Sequence, residues 1–496
     1  MATTYVPVNS LNTSTALEAQ MTPEQFWQRT IDMFEENNDF WQSMEGGTGS
    51  VIVTKSDTAA GRGHTMNIRI ESGLYDEPHY GEDTFDDEND FEELLYDDYQ
   101  LKVGVIRHAT SATELAEEHM GLRGEIMNRL PEKLGAWLGR LKTENLDMAF
   151  LNQVQADNIL FPNGKTKEGI VTADKLSMSY VGTAASLMRR LGGSRAKVGT
   201  INGAPAMRLA LVACADACTI LRQDSTYLDF IKNAGQRGPL NTAFRGEITD
   251  LDGVTVVQRD VIDHDGEGAI GSPMNPRARL GVAITAGTTA FDITGGGNAT
   301  SAAKTKKKYY KYFDGYDYKY SDGTTVSPAS ATRYLLIINP PNAATDPNKI
   351  GMYAYTTGNN GNRITITARL GSAAAGVRVT SFADSGGTTR VTWNTGVWAG
   401  KHTDVHPAGA LVIPCNVYGE PLGNSFLLGH GAALRGYGKY RNKRGSEQEE
   451  DGFLQKTFVR SYFGQKVRMD RQGRNPAIVV LKHSLHYPDL PLPTIV

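Results

Sequence analysis

Between Arg69 and Lys102 the chain has no lysine or arginine, and it carries thirteen carboxylates: Glu71, Asp76, Glu77, Glu82, Asp83, Asp86, Asp87, Glu88, Asp90, Glu92, Glu93, Asp97 and Asp98. The whole chain is formally only −4, so the remainder is positive by nine (−13 in the stretch against −4 overall). Such an asymmetry points to a partner, and the complement of the acidic stretch can be the same protein. A run of like charge is by default solvated. Here Leu74, Tyr75, Tyr80, Phe85, Phe91, Leu94, Leu95, Tyr96 and Tyr99 are interleaved with the carboxylates. That is more apolar surface than a solvating segment carries, and it predicts docking.

The flanks say what shape the stretch takes. Met66–Ile70 alternates before it and Leu101–Ile106 alternates after it, so two strands bracket the acid run as the stems of a long hairpin. An excursion of about fifteen residues each way, at ~3.3 Å per residue, reaches ~50 Å, farther than one domain. A helical segment is then expected from about Ser111 to Asn152. Leu115, Leu122, Ile126, Leu130, Leu134, Trp137 and Leu141 recur at helical spacing, with Pro131 placed to start a second helix or to kink the first.

At 496 residues the chain exceeds the size at which one core stops growing, and two to four domains are expected. Cys214, Cys218 and Cys415 are its three cysteines, which argues against a disulfide framework and for a reducing compartment. Cys214 and Cys218 read as core. The N-terminal residues lack a basic region followed by an apolar core, and nowhere do about eighteen apolar residues run together, so neither export nor a membrane is expected.

Taken in order, Thr22-Pro23-Glu24-Gln25 reads as a capped helix start, with Trp27, Ile31, Phe34 and Trp41 on one face and an end near Gly46-Gly47. Val51–Lys55 is a short strand. Thr172–Leu191 is an amphipathic helix stopped at Gly192-Gly193, its Arg189-Arg190 pair suited to a helix C-terminus. Met207–Val212 is a buried strand or helix start, followed by helix to about Asn233 with a break near Asp224-Ser225. Phe244–Val257 reads as a hairpin turned at Asp252-Gly253. This order is α+β.

From about Leu280 to Thr403 the composition shifts to Gly, Ala, Thr and Asn, with alternation in Tyr334–Ile338, Gly351–Tyr355, Arg363–Leu370, Val377–Phe382 and Thr389–Trp393. Regular short strands predict a β-sandwich insert. Within it, Lys304–Tyr320 mixes cations with tyrosines. It suits nucleic acid or glycan, or else a solvated hairpin with a Tyr face turned at Asp314-Gly315, the preferred reading. Ala410–Pro414 resumes a core-like strand, and Phe458–Arg468 and Ala477–Lys482 read as closing strands.

Motifs for chemistry are weak. Gly266–Gly271 matches a dinucleotide-binding glycine pattern, but Pro273 and Pro276 stand where the phosphate-binding helix should begin. His402 and His406 flank Asp404, yet Pro407 follows and no further ligands cluster nearby, which reads as a loop. No catalytic residue, cofactor or metal is expected, and the chain does not read as an enzyme.

The order of these stretches resembles the major capsid proteins of tailed bacteriophages, especially the podovirus-type group, whose fold is shared with encapsulins. The resemblance rests on Phe40-Trp-Gln-Ser-Met-Glu-Gly46, on Gly63–Ile70 and Leu101–His108 as loop stems, and on Phe244–Val257 as a hairpin. It rests also on Ser425–Ala433 as a small-residue helix, and on Tyr462-Phe-Gly464 and Pro476–Leu481 as closing strands. It implies an α+β tailed-phage major capsid fold with an N-terminal arm, extended β-hairpin loop, long spine helix, peripheral and axial domains, plus an inserted all-β, sandwich-like domain. The implied division is 1–50 arm, 51–108 extended acidic loop, 109–170 spine helix and peripheral domain, 171–279 axial domain, 280–403 insert, and 404–496 return to axial and peripheral domains.

The resemblance further implies a shell built of hexamers and pentamers of the chain itself, with portal, scaffold and cement proteins as partners. Double-stranded DNA would be enclosed without sequence-specific binding, in a virion capsid assembled in the host cytoplasm. Two departures stand out: the size of the insert and the acidity of the loop. With no lysine in the acid run, a covalent crosslink from the loop tip is not expected. Instead Asp83, Asp86, Asp87, Glu88, Asp90, Glu92 and Glu93 are expected to meet a cationic bed on a neighbour, formed by Arg435, Lys439, Arg441, Lys443 and Arg444. Two other readings remain: a receptor- or glycan-binding tail or surface adhesin, and an encapsulin-like compartment shell.

Overall fold

The computed structural model describes residues 39–56, 65–71, 96–113, 125–201, 204–234, 253–259, 274–280, 283–284, 290–292, 318–320, 322–326, 333–340, 343, 350–357, 363–373, 382–383, 389–390, 398–399, 405–416, 419–449, 454–470 and 473–485. The expected helix at Thr22, the 304–317 run with its Asp314-Gly315 turn, the Gly266–Gly271 pattern, His402 and the first strand of the Phe244–Val257 hairpin lie outside them.

The first sheet runs Glu45–Gly46, Ile52–Ser56, Ala433–Glu449, Leu454–Val467 and Gly104–Thr113. Its two longest strands form an antiparallel ribbon, to which Gly104–Thr113 adds on one edge. Helix α1, Glu125–Asn152, lies across one face, because Leu134 and Leu138 meet Val459, Phe463 and Tyr437 in one buried cluster. Every second ribbon residue points that way, and His108 stacks on Trp137 with ring centroids 4.5 Å apart. The sequence placed the helix start at Ser111. Ser111–Thr113 instead complete the edge strand, whose partners reach Leu454, and Pro131 lies inside one continuous helix. The C-terminal half of α1 turns to a second core, where Leu146 and Phe150 are fully buried.

That second core belongs to a sheet ordered Ile159–Leu160, Ile478–Ser484, Leu422–Leu428, Ala204–Cys214 and Ala196–Ile201, with Val254–Arg259 parallel to Ala204–Cys214. Leu209–Val212, Phe426–Leu428 and Ile478–Leu481 are unbroken apolar runs buried throughout, the signature of strands covered on both faces. Helix α2, Met178–Arg190, covers one side through Tyr180, Val181, Ala184, Ala185 and Met188. Ser177 caps it, and the Tyr180 hydroxyl donates to the carbonyls of Leu160 (2.7 Å) and Lys482 (3.0 Å). Helices α3, Ala215–Arg222, and α4, Ser225–Ala234, break where the sequence predicted, at Asp224, whose carboxylate accepts from the Met178 amide at 2.7 Å. Cys214 and Cys218 are buried, as expected, and burial pushes the Cys214 thiol up to about 12. Ser425–Ala433, expected as a helix, is strand, turn and strand: Leu422–Leu428 pairs with Ile478–Ser484, and Gly431 turns the chain at φ +64° into the long ribbon.

The described residues of the insert are all β or irregular. Its large sheet is antiparallel and ordered Ala278–Arg279, Leu411–Cys415, Arg333–Ile338, Ile350–Thr357, Arg363–Ala373 and Ala290–Asp292, with Trp398–Ala399 also on Arg363–Ala373. Leu411–Cys415, read from sequence as resuming the main core, instead pairs residue for residue with Tyr334–Ile338 and so is part of this sheet. A described tyrosine-bearing hairpin, Tyr318–Lys319 with Thr325–Val326, turns at Asp322-Gly323. His406, expected in a loop, bridges Ile284 and is wholly buried, 2.7 Å from the Tyr353 hydroxyl and 2.6 Å from Asn339 Oδ1.

Candidate assembly surfaces

The acidic run leaves the first sheet through a stem. Thr65–Glu71 pairs antiparallel with Tyr96–Lys102, from Thr65 opposite Lys102 to Glu71 opposite Tyr96. The second stem strand therefore begins five residues earlier than the sequence suggested, and Gly104 starts the separate edge strand. Residues 72–95, including Asp83, Asp86, Asp87, Glu88, Asp90, Glu92 and Glu93, lie outside the described residues.

The stem is seated on the face of the ribbon opposite α1. Gly436 and Gly464 stand directly across from each other there. A Cβ on Gly464 would run into the Lys102 carbonyl, and one on Gly436 would meet Leu101 Cδ2 and Met66 Sδ at 2.8 Å each. Two glycines thus form a notch through which the stem backbone crosses. Tyr99, Leu101 and Leu434 are buried around it, with Val53, Met66 and Met469 packed against them. The Tyr99 hydroxyl donates to the Val467 carbonyl at 2.5 Å, and the Lys466 amine lies 4.2 Å from the Tyr99 ring centre. Burial raises the Tyr99 pKa, keeping that donor protonated.

Beneath the ribbon, on the α1 side, lies a buried charge cluster. Arg435 Nη1 donates to Asp39 Oδ2 at 2.6 Å and to Glu45 Oε2 at 2.5 Å, while its Nε and Nη2 hold Gln465 Oε1 at 3.1 and 3.0 Å. Gln465 in turn donates to the Lys142 carbonyl, and the Lys142 amine sits 4.7 Å from the Tyr437 ring. Burial opposes the charge on Glu45, yet the Arg435 field and hydrogen bonds from Thr54, Arg435 and Tyr437 outweigh it and hold the carboxyl below the usual carboxylate range. Burial likewise opposes the Arg435 charge, and Asp39 and Glu45 more than restore it. Arg435 was expected in a bed facing a neighbour. It is 0% exposed and is satisfied by carboxylates of its own subunit, so it is not a docking cation.

The other four expected cations sit on the long strand Ala433–Glu449. Register slips between Tyr437, opposite Phe463, and Asn442, opposite Ser461, so that Lys439 and Arg441 fall in a bulge across from Tyr462. Lys443 stands opposite Arg460 and Arg444 opposite Val459. Arg460 in turn stands opposite Arg107. Sequence reading missed Arg107, Arg460 and the glycine notch, since only the strand register aligns them. Gly436, Gly438 and Gly464 inside strand patterns were the available signal.

Other buried polar groups serve the fold. Asp147 accepts from Trp41 Nε1 at 2.9 Å and from Arg259 at 2.5 Å, and its pKa is raised by burial that Arg259 offsets only in part. Among the described residues no group of three or more metal-ligating side chains converges, and no helix is long and apolar enough to cross a membrane.

No family model matches the chain, and no curated protein does. Among solved structures, the capsid of Ralstonia phage GP4 aligns with a TM-score of 0.50 at 12% identity, over 91% of this chain and 92% of that one. The head structure of Helicobacter pylori bacteriophage KHP40 gives 0.49 at 11% over 90% and 92%, and the Cyanophage Pam1 capsid 0.47 at 12% over the same shares. The likeness to the first is one of fold over nearly the whole of both chains, and it meets the α+β architecture expected from the sequence.

Proposed function

We propose that this chain, which has the tailed-phage capsid fold, is the major capsid protein of a tailed bacteriophage, a subunit that assembles with copies of itself into an icosahedral shell enclosing double-stranded DNA. One observation carries the reading beyond fold: a paired stem crosses the ribbon at the Gly436–Gly464 notch and leads into a segment with ten of the thirteen carboxylates between Asp76 and Glu93. A segment of that charge and length is suited to a contact outside its own domain.

In this reading Asp83, Asp86, Asp87, Glu88, Asp90, Glu92 and Glu93 meet cations of a neighbouring subunit, with Lys439, Arg441, Lys443 and Arg444 as candidates once Arg435 is withdrawn. Exposed ion pairs contribute only about 0–1 kcal/mol each, so charge sets register while the interleaved Leu, Phe and Tyr contribute burial. Weak, numerous contacts let assembly errors dissolve. Hexamers and pentamers would form the shell in the host cytoplasm with portal, scaffold and cement proteins, and the DNA would be held without sequence-specific binding. The role is structural rather than enzymatic.

Electron microscopy of the purified chain at low and high salt tests this. Closed shells or capsomer rings that loosen with salt support it. Monomers under every condition, including co-expression with its scaffold, would refute it.

A further inference from the structure

From Lys175 to Ala215 the chain has no Asp or Glu, and it carries Lys175, Arg189, Arg190, Arg195, Lys197 and Arg208. The middle of this basic stretch folds into a set of joined turns. After α2 the chain turns at Gly192-Gly193, where a Cβ on Gly193 would run into the Pro476 carbonyl and the Met188 side chain. Beyond it the Ser194 carbonyl accepts from the His430 amide at 2.9 Å, the Lys197 amide donates to Gly49 at 2.7 Å, and the Gly431 amide donates to Ser50 at 3.0 Å. The turns at 47–50, 192–195 and 429–431 are thereby tied together through their backbones. Gly253 joins them from the side, since its carbonyl accepts from the Leu209 amide at 3.0 Å and the Arg195 side chain lies over it.

Three of the glycines here have positive φ, and a cationic side chain lies over each: Lys197 over Gly49 (φ +101°), Arg195 over Gly253 (φ +76°) and Arg468 over Gly431 (φ +64°). A Cβ on Gly49 would stand 2.8 Å from Lys197 Cε, one on Gly431 2.8 Å from Arg468 Nη1, and one on Gly253 3.5 Å from Arg195 Nη2. Glycine thus serves both the left-handed turn and the close approach of the cation. Arg195 and Lys197 flank the buried Ala196 and are exposed, while Arg468 is half-buried. The Lys197 amine rests 3.4 Å from the Thr48 carbonyl. Among the described residues no carboxylate lies within ion-pair distance of Arg195, Lys197 or Arg468. Three cations gathered on tied turns repel one another, and a bound polyanion relieves that repulsion.

We propose that Arg195, Lys197 and Arg468, presented on the tied turns around Gly49, Gly253 and Gly431, form a contact for the phosphate backbone of duplex DNA. The inference rests on the shell reading, which supplies duplex DNA as the enclosed partner, and names the residues that touch it. Surface chemistry favours this occupant over a protein. Residues 47–50, 192–195 and 429–431 are Gly, Ser, Thr, His and Arg throughout. A protein interface needs an apolar centre, which these turns do not offer. Phosphate contacts need cations, hydroxyls and close backbone approach, all of which are present. Stacking of unpaired bases needs Phe, Tyr or Trp, so the turns suit a duplex rather than a single strand. The contact is one of charge with the backbone, independent of base sequence.

Fluorescence anisotropy of the full chain with a labelled duplex of about 30 base pairs, across a salt series, tests it. The R195Q/K197Q/R468Q chain loses three phosphate contacts at ~0.9 each, so its slope of log K against log salt is expected to be shallower by ~3, with affinity at low salt down by about tenfold or more. A control chain, K133Q/R140Q/R222Q, loses the same charge from α1 and α3 and is expected to change the slope by less than ~1. Both are expected to melt as the unaltered chain does. If the first does not, R195Q alone, at an exposed side chain, is expected to lower the slope by ~1. Unchanged binding in R195Q/K197Q/R468Q, or equal losses in the two triple variants, would overturn the inference. So would poly-glutamate that competes, charge for charge, as well as unlabelled duplex, which would assign the turns to an acidic protein. Electron microscopy keeps the shell reading separate. Normal shells from a chain that never binds duplex would overturn the contact alone. Duplex binding through these residues in a chain that never assembles, even with scaffold, would overturn the shell reading alone.

Discussion

Arg435 Nη1 lies 2.6 Å from Asp39 Oδ2, a contact that joins the segment preceding the first sheet to the start of the long ribbon, 396 residues away in sequence. Both side chains are almost wholly enclosed, and Glu45 closes the other side of the same guanidinium nitrogen. Two carboxylates and one guanidinium out of water form a cluster that tolerates loss of no single member.

Arg435→Met is therefore expected to cost about 3–5 kcal/mol in denaturant unfolding, because it leaves Asp39 and Glu45 buried without their cation. The triple change Arg435→Met with Asp39→Leu and Glu45→Leu is expected to recover most of that loss. If the single change costs less than a surface substitution, about 0.5 kcal/mol, the cluster is not what holds the segment to the ribbon.

Stability between pH 4 and 8 should show two opposing slopes from neighbouring groups. Burial pushes Glu420 up to about 7, partly offset by hydroxyls of Ser484 and Thr172, so the folded chain binds a proton there that the unfolded chain releases near 4.5. Its contribution is full below about 4.5 and is lost as pH rises toward 7, by about 3 kcal/mol in all. Burial lowers His483 to about 4, so the unfolded chain takes up a proton that the folded chain excludes, and stability rises between about 4 and 6.5. The two offset each other in the wild type. Glu420→Gln should unmask the His483 slope, giving a chain more stable at pH 8 and less stable toward pH 4.5, read by urea titrations across that range. An unchanged pH profile would show that Glu420 is ionised in the folded state.

The sequence made the secondary structure legible where one periodicity ruled. Met178–Arg190, the Asp224 break and the strand around Met207 follow from apolar spacing and from Ser177, Asp224 and Arg189-Arg190 at helix ends. It misled where a strand borrowed another signal: Ser111–Thr113 continue helix-like spacing yet pair with Leu454–Lys456, and Ser425–Ala433 is rich in small residues because it turns tightly between two buried strands. Arg435 looked like one more surface cation in a basic run. Its partners Asp39 and Glu45 are nearly four hundred residues distant, and only tertiary structure brings them together. The cross-strand alignment of Lys443, Arg460 and Arg107 is illegible for the same reason, since register across three strands is set by turns and a bulge rather than by any one strand's composition.

Gly464→Ala is expected to unseat the acidic hairpin rather than unfold the subunit. The added Cβ meets the Lys102 carbonyl, a backbone atom that cannot swing aside, so the stem must lift from the notch and release Tyr99 and Leu101 from their cluster. Limited proteolysis should then cut between residues 65 and 102 at least several-fold faster, with the second core unaffected by near-ultraviolet dichroism. Equal cleavage rates would mean that the stem is not held there.

Neutralising five loop carboxylates, as in D83N/D86N/D87N/E92Q/E93Q, should block shell formation at physiological salt and leave the melting temperature within a degree or two. These groups lie in a charged run whose mutual repulsion falls when charge is removed, so the isolated subunit loses nothing by the change. Normal shells from this chain would remove charge as the source of loop docking.

The insert should be dispensable for assembly, but only if it is excised along its own sheet. Ala278 stands opposite Val412, and Leu411–Cys415 pairs along its length with Tyr334–Ile338. Removing 280–403 alone would strip Val412 and Ile413, both essentially buried, of that partner strand, and aggregation is expected. Joining residue 278 to 416 through a linker of about five residues, enough to span ~15 Å, removes the sheet whole. That chain should remain soluble and form shells by electron microscopy. A soluble, folded chain that makes no shells would place essential inter-subunit contacts on the insert, and solubility of the 280–403 deletion would show that Leu411–Cys415 holds its place without Tyr334–Ile338.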